Sequence, residues 1–106
     1  MPHFEISPFR LDLATKQLWK GAQQIPLRPQ SFAVICYLVG QAGRRVPSQE
    51  LLSVCWTGRA GTRNALKSCI RDIRIALGDP AQSPRFIETV PRHGYRFIGT
   101  PGEDTD

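Results

Sequence analysis

The fold is decided by residues 63–97, RNALKSCIRDIRIALGDPAQSPRFIETVPRHGYRF. At about 100° per residue, four apolar side chains in its first half share one face of a helix over residues 63–77: Leu66, Ile70, Ile73 and Leu77. The opposite face and its flank hold polar and basic residues and one isoleucine: Asn64, Ser68, Arg71 and Ile75, beside Arg63, Lys67 and Arg74. We therefore predict a helix that packs on a core and presents a basic outer surface.

A β-hairpin is predicted directly after this helix. Gly78 and Pro80 end the helix, because glycine accepts a left-handed C-cap conformation and proline cannot continue the helix. Residues 86–90 and 95–98 are strand-like, and the turn between them carries Arg92 and His93. A basic helix beside a basic hairpin is the arrangement of a winged helix. Such a helix suits the major groove of DNA, where its side chains reach base edges and phosphates.

Positive charge is concentrated in the same third of the chain. Residues 59–96 contain eight Lys or Arg against three acids, in a chain of 106 residues with net charge +5. A charged helix face is often only a solvated face, but the basic hairpin beside it favours a polyanionic partner. The length predicts one domain, residues 1–99, followed by a tail or the start of a linker at 100–106.

The residues before this stretch predict an antiparallel sheet and two more helices, which makes the fold class α+β. Residues 4–27 alternate apolar and polar positions between turn residues, as an antiparallel meander does. We expect a central buried helix over 29–43, a basic loop at 44–47 and a short helix over 48–56.

Other functional classes find no support in the sequence. No apolar run could span a membrane and no signal peptide is evident, which predicts a cytoplasmic location. Cys36, Cys55 and Cys69 are odd in number and widely spaced, which predicts reduced core thiols rather than a disulfide or a metal site. His3 and His93 lie beside no nucleophile motif, and no phosphate-binding glycine loop is present. Neither catalysis, a cofactor nor a small-molecule substrate is expected.

Four segments, in this order, make the chain resemble the OmpR/PhoB-type winged-helix DNA-binding domains over residues 4–99. They are IPLRPQSF at 25–32, ELLSVCW at 50–56, IRDIRIALGD at 70–79 and RFIETVPRHGYRF at 85–97. The resemblance implies a winged helix-turn-helix with an amino-terminal four-stranded antiparallel sheet, three helices and a carboxy-terminal hairpin wing. Residues 48–56 would be the positioning helix and 63–77 the recognition helix.

The resemblance also implies roles for single residues. Arg71 and Arg74 match basic positions that touch DNA, and Trp56 and Thr89 match positions that lie against phosphates. Asn64 and Ser68 match neighbouring contact positions. The remaining basic residues of the helix and of the hairpin turn are also candidates for DNA contact. The candidate DNA-binding residues are Trp56, Arg63, Asn64, Lys67, Ser68, Arg71, Arg74, Thr89, Arg92 and His93.

Two positions depart from the family pattern. Asp72 stands where basic or neutral polar residues are common, and a carboxylate near phosphates weakens binding. It lies on the flank of the helix away from Lys67 and Arg74, which predicts a partner within the protein. Pro91 stands where some members have a minor-groove arginine, which leaves Arg92 as the candidate.

The resulting hypothesis is sequence-specific binding of double-stranded DNA by the effector domain of a bacterial transcriptional regulator. The helix 63–77 would enter the major groove, and the wing 86–98 would lie at the adjacent minor groove. In this family the loop at 57–62 can contact RNA polymerase, and we also consider a dimer on DNA. If Met1 is the natural start, no receiver domain is expected before this domain, and with its wing sequence SPRFIETVPRHGYRF the chain then further resembles the CadC/ToxR-like group. A sensor domain is then expected beyond residue 106, in a full-length protein that can be membrane-anchored.

The main alternative is a winged helix that docks a protein partner and does not bind DNA. Binding to DNA should weaken steeply with added salt, whereas docking across an apolar patch should not. An RNA-binding domain is a weaker alternative, because the exposed aromatic residues that stack on single strands are missing from the sequence pattern.

Overall fold

The computed structural model describes residues 3–56 and 61–99, and within them the elements follow the predicted order. They are β1 (His3–Ile6), β2 (Phe9–Asp12), β3 (Gln17–Lys20), β4 (Gln23–Ile25), α1 (Pro29–Gly40), β5 (Val46–Pro47), α2 (Ser48–Cys55), α3 (Arg63–Leu77), β6 (Ile87–Val90) and β7 (Gly94–Phe97). Strands β1 to β4 form an antiparallel sheet in chain order, and β5, β7 and β6 form a second antiparallel sheet in that order.

The first sheet follows from the alternation of side chains along its strands. In β2, Phe9 and Leu11 are buried and Arg10 between them is exposed, as the period of two in a strand requires. Leu11 lies opposite Leu18 in the antiparallel register. The Asp12 carboxylate accepts hydrogen bonds from the two backbone amides that begin the next turn, which stabilises the reversal of the chain.

Helix α1 is the central buried helix that the sequence predicts. It begins at Pro29, where a missing N–H costs nothing, and six of its residues are buried: Ser31, Phe32, Val34, Ile35, Leu38 and Val39. Its predicted end at residue 43 is wrong, because the helix ends at Gly40. Residues 41–43 form a turn instead, and Gly43 has a φ of 85° and donates its N–H to the Phe97 carbonyl at 3.0 Å.

The predicted loop at 44–47 is also wrong in part, because Val46–Pro47 is a short strand paired with β7. The wing hairpin is therefore part of a three-stranded sheet, with β7 as its central strand. Gly94 allows this pairing, since a Cβ atom there would lie 2.0 Å from the Val46 carbonyl oxygen. A strand of two residues is too short to show an alternation of apolar and polar side chains, so the sequence does not reveal it. Pairing with β7 and burial of Val46 stabilise the segment.

A single hydrophobic core joins the helices to both sheets. Twelve of its side chains are almost completely inaccessible: Phe97, Ile6, Leu11, Leu18, Ile35, Leu38, Leu51, Leu66, Ile73, Ile87, Val34 and Val46. Within the described residues, no helix has both the length and the apolar character needed to cross a bilayer.

Candidate nucleic-acid interface

Helix α3 has the boundaries that the sequence predicts, because both of its ends are capped. The Thr62 side-chain oxygen accepts a hydrogen bond from the Ala65 N–H at 3.0 Å, and Gly78 takes the left-handed conformation at the other end. One face carries the buried residues Leu66, Cys69, Ile70, Ile73 and Leu77. The helix is therefore fixed to the core along its whole length.

The outer face of α3 is exposed and basic, as predicted. Arg63, Lys67 and Arg71 are exposed along it, together with the polar candidates Asn64 and Ser68. Ile75, on the same face, is 71% exposed. These side chains provide guanidinium, ammonium, amide and hydroxyl groups on one continuous surface, the set of donors that phosphates and base edges require.

Arg74 differs from the other basic residues of α3, because it is partly buried and bonded to the hairpin. Its Nη2 donates to the Ile87 carbonyl at 3.1 Å and to the Thr89 hydroxyl at 2.9 Å. Its Nε is buried, and within the described part of the chain it has no hydrogen-bond partner. The structure thus brings two predicted contact residues, Arg74 and Thr89, together as a link between α3 and β6.

A buried carboxylate provides a second link between the helix and the hairpin. Asp79, only 3% exposed, follows the Gly78 cap and accepts hydrogen bonds from the N–H groups of Arg85, Phe86 and Ile87. The shortest of these, to Arg85, is 2.6 Å. Three amides that start the hairpin are therefore held by one residue at the end of the helix. The sequence predicted a helix stop here but not this role of Asp79.

The turn of the wing presents Arg92 to solvent. The His93 N–H donates to the Val90 carbonyl at 3.0 Å, and Arg92 takes a φ of 61°. Proline before a residue with positive φ is typical of a type II turn. The His93 carbonyl in turn accepts from the Ser48 N–H at 3.0 Å, which attaches the turn to the start of α2.

A groove of about 470 Å³ separates α3 from the wing. Its lining includes Arg63 and Lys67 from α3, and Arg92 and His93 from the wing. With Thr89, five predicted contact residues from two distant segments of sequence therefore line one open surface. Like charges collected around a groove raise the local concentration of an anionic partner.

Trp56 is the predicted contact residue with the least accessible surface. It caps the carboxyl end of α2 and is 8% exposed, so most of its ring belongs to the core. Gly61 fits closely against it, since a Cβ atom there would lie 2.8 Å from the indole Cγ. Of the predicted polymerase-contacting loop 57–62, residues 57–60 lie outside the described residues.

Asp72 has partners within the protein, as its place on the helix flank predicted. Its carboxylate accepts from Arg28 Nε at 2.5 Å and from the buried Ser31 hydroxyl at 2.9 Å. The bond to the carboxylate raises the pKa of the Arg28 guanidinium. Arg28 Nη2 also donates to the Ser68 hydroxyl at 3.0 Å. Arg28 was not among the predicted site residues. The signal that could have found it was Asp72 itself, because an isolated carboxylate on a basic helix indicates a cationic partner nearby.

The three cysteines are free thiols. Cys69 is buried in α3, and Cys36 and Cys55 are partly buried and pack against the core, so the prediction of buried thiols is confirmed in full only for Cys69. Burial raises the pKa of Cys36 to about 12 and that of Cys55 to about 11. Both thiols are therefore protonated at neutral pH, and protonated thiols are poor nucleophiles.

A scan against protein families matches residues 22–97 to the family described as transcriptional regulatory protein, C terminal. The chain belongs to this family. The match includes all three helices and the wing, and it confirms the predicted OmpR/PhoB-type winged helix of a transcriptional regulator.

Relatives of this transcriptional regulatory domain agree with the assignment. It is 28% identical over 97 residues to the transcriptional regulatory protein CutR of Streptomyces coelicolor, covering 91% of this chain and 43% of CutR. The chain thus spans less than half the length of that relative. The DNA-binding domain of CadC from Escherichia coli superposes with a TM-score of 0.83 at 20% identity, covering 96% of both chains.

A second solved structure was determined as a complex. The RstA DNA-binding domain of Klebsiella pneumoniae, bound to the RstA box, superposes with a TM-score of 0.80 at 23% identity. The match covers 92% of this chain and 98% of the RstA chain. These superpositions confirm the four-stranded sheet, the three helices and the carboxy-terminal hairpin as a winged-helix fold.

Proposed function

We propose that this domain binds double-stranded DNA sequence-specifically, with α3 in the major groove and the β6–β7 hairpin at the adjacent minor groove. The observation that carries the proposal is the shared basic surface. Arg63, Lys67 and Arg71 are exposed along α3, and Arg92 lies across the groove from Arg63 and Lys67. Membership of a family of transcriptional regulators supports DNA as the polyanion.

Affinity and sequence preference come from different side chains in this proposal. Lys and Arg that contact phosphates release counterions and provide most of the affinity, whereas contacts to base edges provide the preference. Arg63, Lys67 and Arg92 are suited to phosphates or to the minor groove because they surround the open groove. Asn64, Ser68 and Arg71 are suited to bases because they occupy the outer face of α3.

Arg74, Thr89, Trp56 and His93 take supporting places in the interface. Arg74 already bonds Thr89, so the pair would contact a phosphate together, through donors that remain on the guanidinium and the hydroxyl. His93 is exposed beside Arg92, and Trp56 would contribute only the accessible edge of its ring.

We further propose that the domain is the effector part of a longer regulator. Residues 1–99 would form the DNA-binding unit, and residues 100–106 would begin the connection to a sensor domain, as in membrane-anchored regulators of the CadC/ToxR-like group. The loop at 57–62 would be the surface for RNA polymerase, and two domains would bind neighbouring half-sites as a dimer.

Selection of bound sequences from random duplexes, followed by titration of the selected duplex at several salt concentrations, tests the proposal. We expect a preferred site and a steep fall of affinity with salt. Arg71→Ala should weaken binding by about 1–3 kcal/mol if Arg71 contacts a base, with relaxed preference at one position. Arg10→Ala, which removes the same charge from the first sheet, is the control and should have little effect.

The alternative of a protein-docking module predicts different data. Binding to duplex DNA would be weak, without a preferred sequence, and equal for the unchanged chain and Arg71→Ala. That result would overturn the proposed function.

A further inference from the structure

The segment between β4 and α1 contributes an arginine to the outer face of α3. Arg28 is the N-cap residue of α1, where its own carbonyl accepts the Phe32 N–H at 2.9 Å and fixes its backbone. Its guanidinium extends along one turn of α3, with Nε on Asp72 at 2.5 Å and Nη2 on Ser68 at 3.0 Å. Arg28 thus approaches α3 on the side away from Lys67 and the wing.

This contact fixes the hydrogen-bonding role of the Ser68 hydroxyl. A guanidinium has only donors, so Ser68 Oγ must accept from Arg28. A hydroxyl has one hydrogen and two lone pairs, and accepting with one lone pair leaves its hydrogen directed elsewhere. Ser68 is exposed on the face of α3 that would meet DNA, so its O–H is available to an acceptor there.

We propose that Arg28 is a positioning residue that determines sequence specificity, by holding Ser68 as a hydrogen-bond donor toward a base edge in the major groove. The inference rests on the proposed function. The acceptors for such a donor are guanine N7 and O6, adenine N7 and thymine O4. The amino groups of cytosine and adenine are disfavoured, because Arg28 already occupies one of the two lone pairs with which the hydroxyl could accept from them. Ser68 should therefore select bases by the acceptors that they present.

A purely structural role for Arg28 does not account for both of its bonds. Asp72 already accepts from the buried Ser31 hydroxyl, which ties its carboxylate to α1. The Arg28 side chain stays 56% exposed, so its ion pair with Asp72 contributes little to stability. The bond to Ser68 adds nothing to the core, because both groups lie at the surface. Its consequence is the orientation of a hydroxyl on the outer face of the recognition helix.

The test measures base discrimination rather than overall affinity. Selection from random duplexes with the 106-residue chain and with Ser68→Ala identifies the base pair whose preference depends on Ser68. Dissociation constants are then measured for duplexes that differ only at that pair. We expect Ser68→Ala to reduce the discrimination roughly three- to ten-fold, the effect of one hydrogen bond.

Arg28→Lys separates positioning from charge. The single ammonium group should remain with the Asp72 carboxylate, because the charged acceptor is the stronger one, and should leave Ser68 free to rotate. We expect this variant to unfold at the same temperature as the unchanged chain. It should also lose as much discrimination as Ser68→Ala, and the double variant should lose no more than either single variant.

Arg44→Ala is the matched control. Arg44 is also an exposed arginine paired with a partly exposed carboxylate, that of Glu50, but it does not contact the outer face of α3. Its loss should change affinity only through charge and leave discrimination at the Ser68-dependent pair intact.

Full discrimination in Arg28→Lys and Arg28→Ala would overturn the inference, as would the absence of any base pair that depends on Ser68. In both cases selective binding by the unchanged chain would still uphold the proposed function. Failure of the unchanged chain to bind duplexes selectively would overturn both.

Discussion

Arg92 has a backbone conformation that residues other than glycine seldom adopt. Its φ of 61° lies in the left-handed region, at the turn of the wing. This conformation costs an L-residue roughly 1–2 kcal/mol. Such strain persists only where the surrounding structure enforces it, and the residue held in this way carries an exposed guanidinium at the edge of a basic groove.

We expect Arg92→Gly to affect stability and binding in opposite directions. Glycine relieves the strain and should raise the free energy of unfolding by up to about 1 kcal/mol, less the entropy it adds to the unfolded chain. Loss of the guanidinium should lower duplex affinity, most on sites with A·T-rich flanks, where a narrow minor groove attracts arginine. Urea unfolding and titration of two duplexes with different flanks measure the two effects.

Lys16→Gly is the control for this pair of effects. Lys16 has a φ of 57°, nearly the same conformation, but lies in the turn between β2 and β3. Its replacement should stabilise the fold similarly and leave duplex binding unchanged. If Arg92→Gly bound both duplexes as tightly as the unchanged chain, the wing turn would have no part in the interface.

Some single-residue features could be predicted from the sequence and others could not. Exposure of Arg71 and burial of Ile70 follow from helical periodicity, which is a local property. The partners of Asp72 and Arg74 come from distant segments of the chain that pack against α3. Arg28 is 44 residues from Asp72 in sequence, and Thr89 is 15 residues from Arg74. The periodicity of side chains along one helix does not indicate which distant residues pack against it.

At the scale of elements, α3 and the hairpin β6–β7 behave as one unit because Arg74 joins them. Arg74→Met keeps most of the aliphatic volume but removes both hydrogen bonds to β6. The Ile87 carbonyl loses this donor, and we expect a loss of about 1–3 kcal/mol in the free energy of unfolding. Hydrogen exchange should accelerate for the β6 amides before those of β1 to β4.

Arg71→Met provides the comparison on the same helix. Arg71 is exposed, so the same substitution should change the free energy of unfolding by less than about 0.5 kcal/mol. Equal stability of the two variants would show that the link from Arg74 to β6 does not hold the wing.

Elements with strong local signals were predicted accurately, and those that depend on a partner were not. Helix α3 has a cap at each end, at Thr62 and Gly78, and its bounds agree with the sequence-based prediction. The strand Val46–Pro47 has no alternation and exists because β7 lies beside it. The end of α1 was placed too late because Gly40, and not Gly43, is its last residue.

For the whole molecule, burial of thiols links stability to alkaline pH. The pKa of Cys36 is raised from 9.0 to about 12 and that of Cys55 from 9.0 to about 11. Above pH 9 the unfolded chain loses these protons while the folded chain retains them, so the unfolded state binds fewer protons. The free energy of unfolding should therefore fall as pH rises from about 9 toward 11 or 12.

Urea unfolding at pH 8, 9.5 and 10.5 measures this fall, which should be shallower in Cys36→Ala, since one ionising thiol is gone. Parallel pH profiles of the two proteins would contradict the assigned pKa shift. Alkylation by iodoacetamide gives a second readout, because it requires the thiolate. It should be slow in the folded chain at pH 8 and fast in urea.

The overall fold was largely predictable because its elements and their order are encoded by periodicity, caps and turns. The candidate interface was predictable as a surface, since the outer residues of α3 and the turn of the wing can both be identified locally. What could not be predicted was which basic residues remain available. Arg74 is bonded to the hairpin, and Arg28 joins the outer face from another part of the chain.

The carboxylate of Asp79 ties the start of the wing hairpin to the end of α3, which limits how far the two elements can separate. It holds three amides at the start of the hairpin directly behind the end of α3. If α3 and the wing are held at a fixed separation, the domain cannot adapt its shape to the duplex. The duplex must then have grooves whose width and spacing match that separation. Sites whose minor groove is already narrow at the right distance would then bind best, even where no side chain touches a base. Asp79, which is buried, would in this way tune recognition by DNA shape.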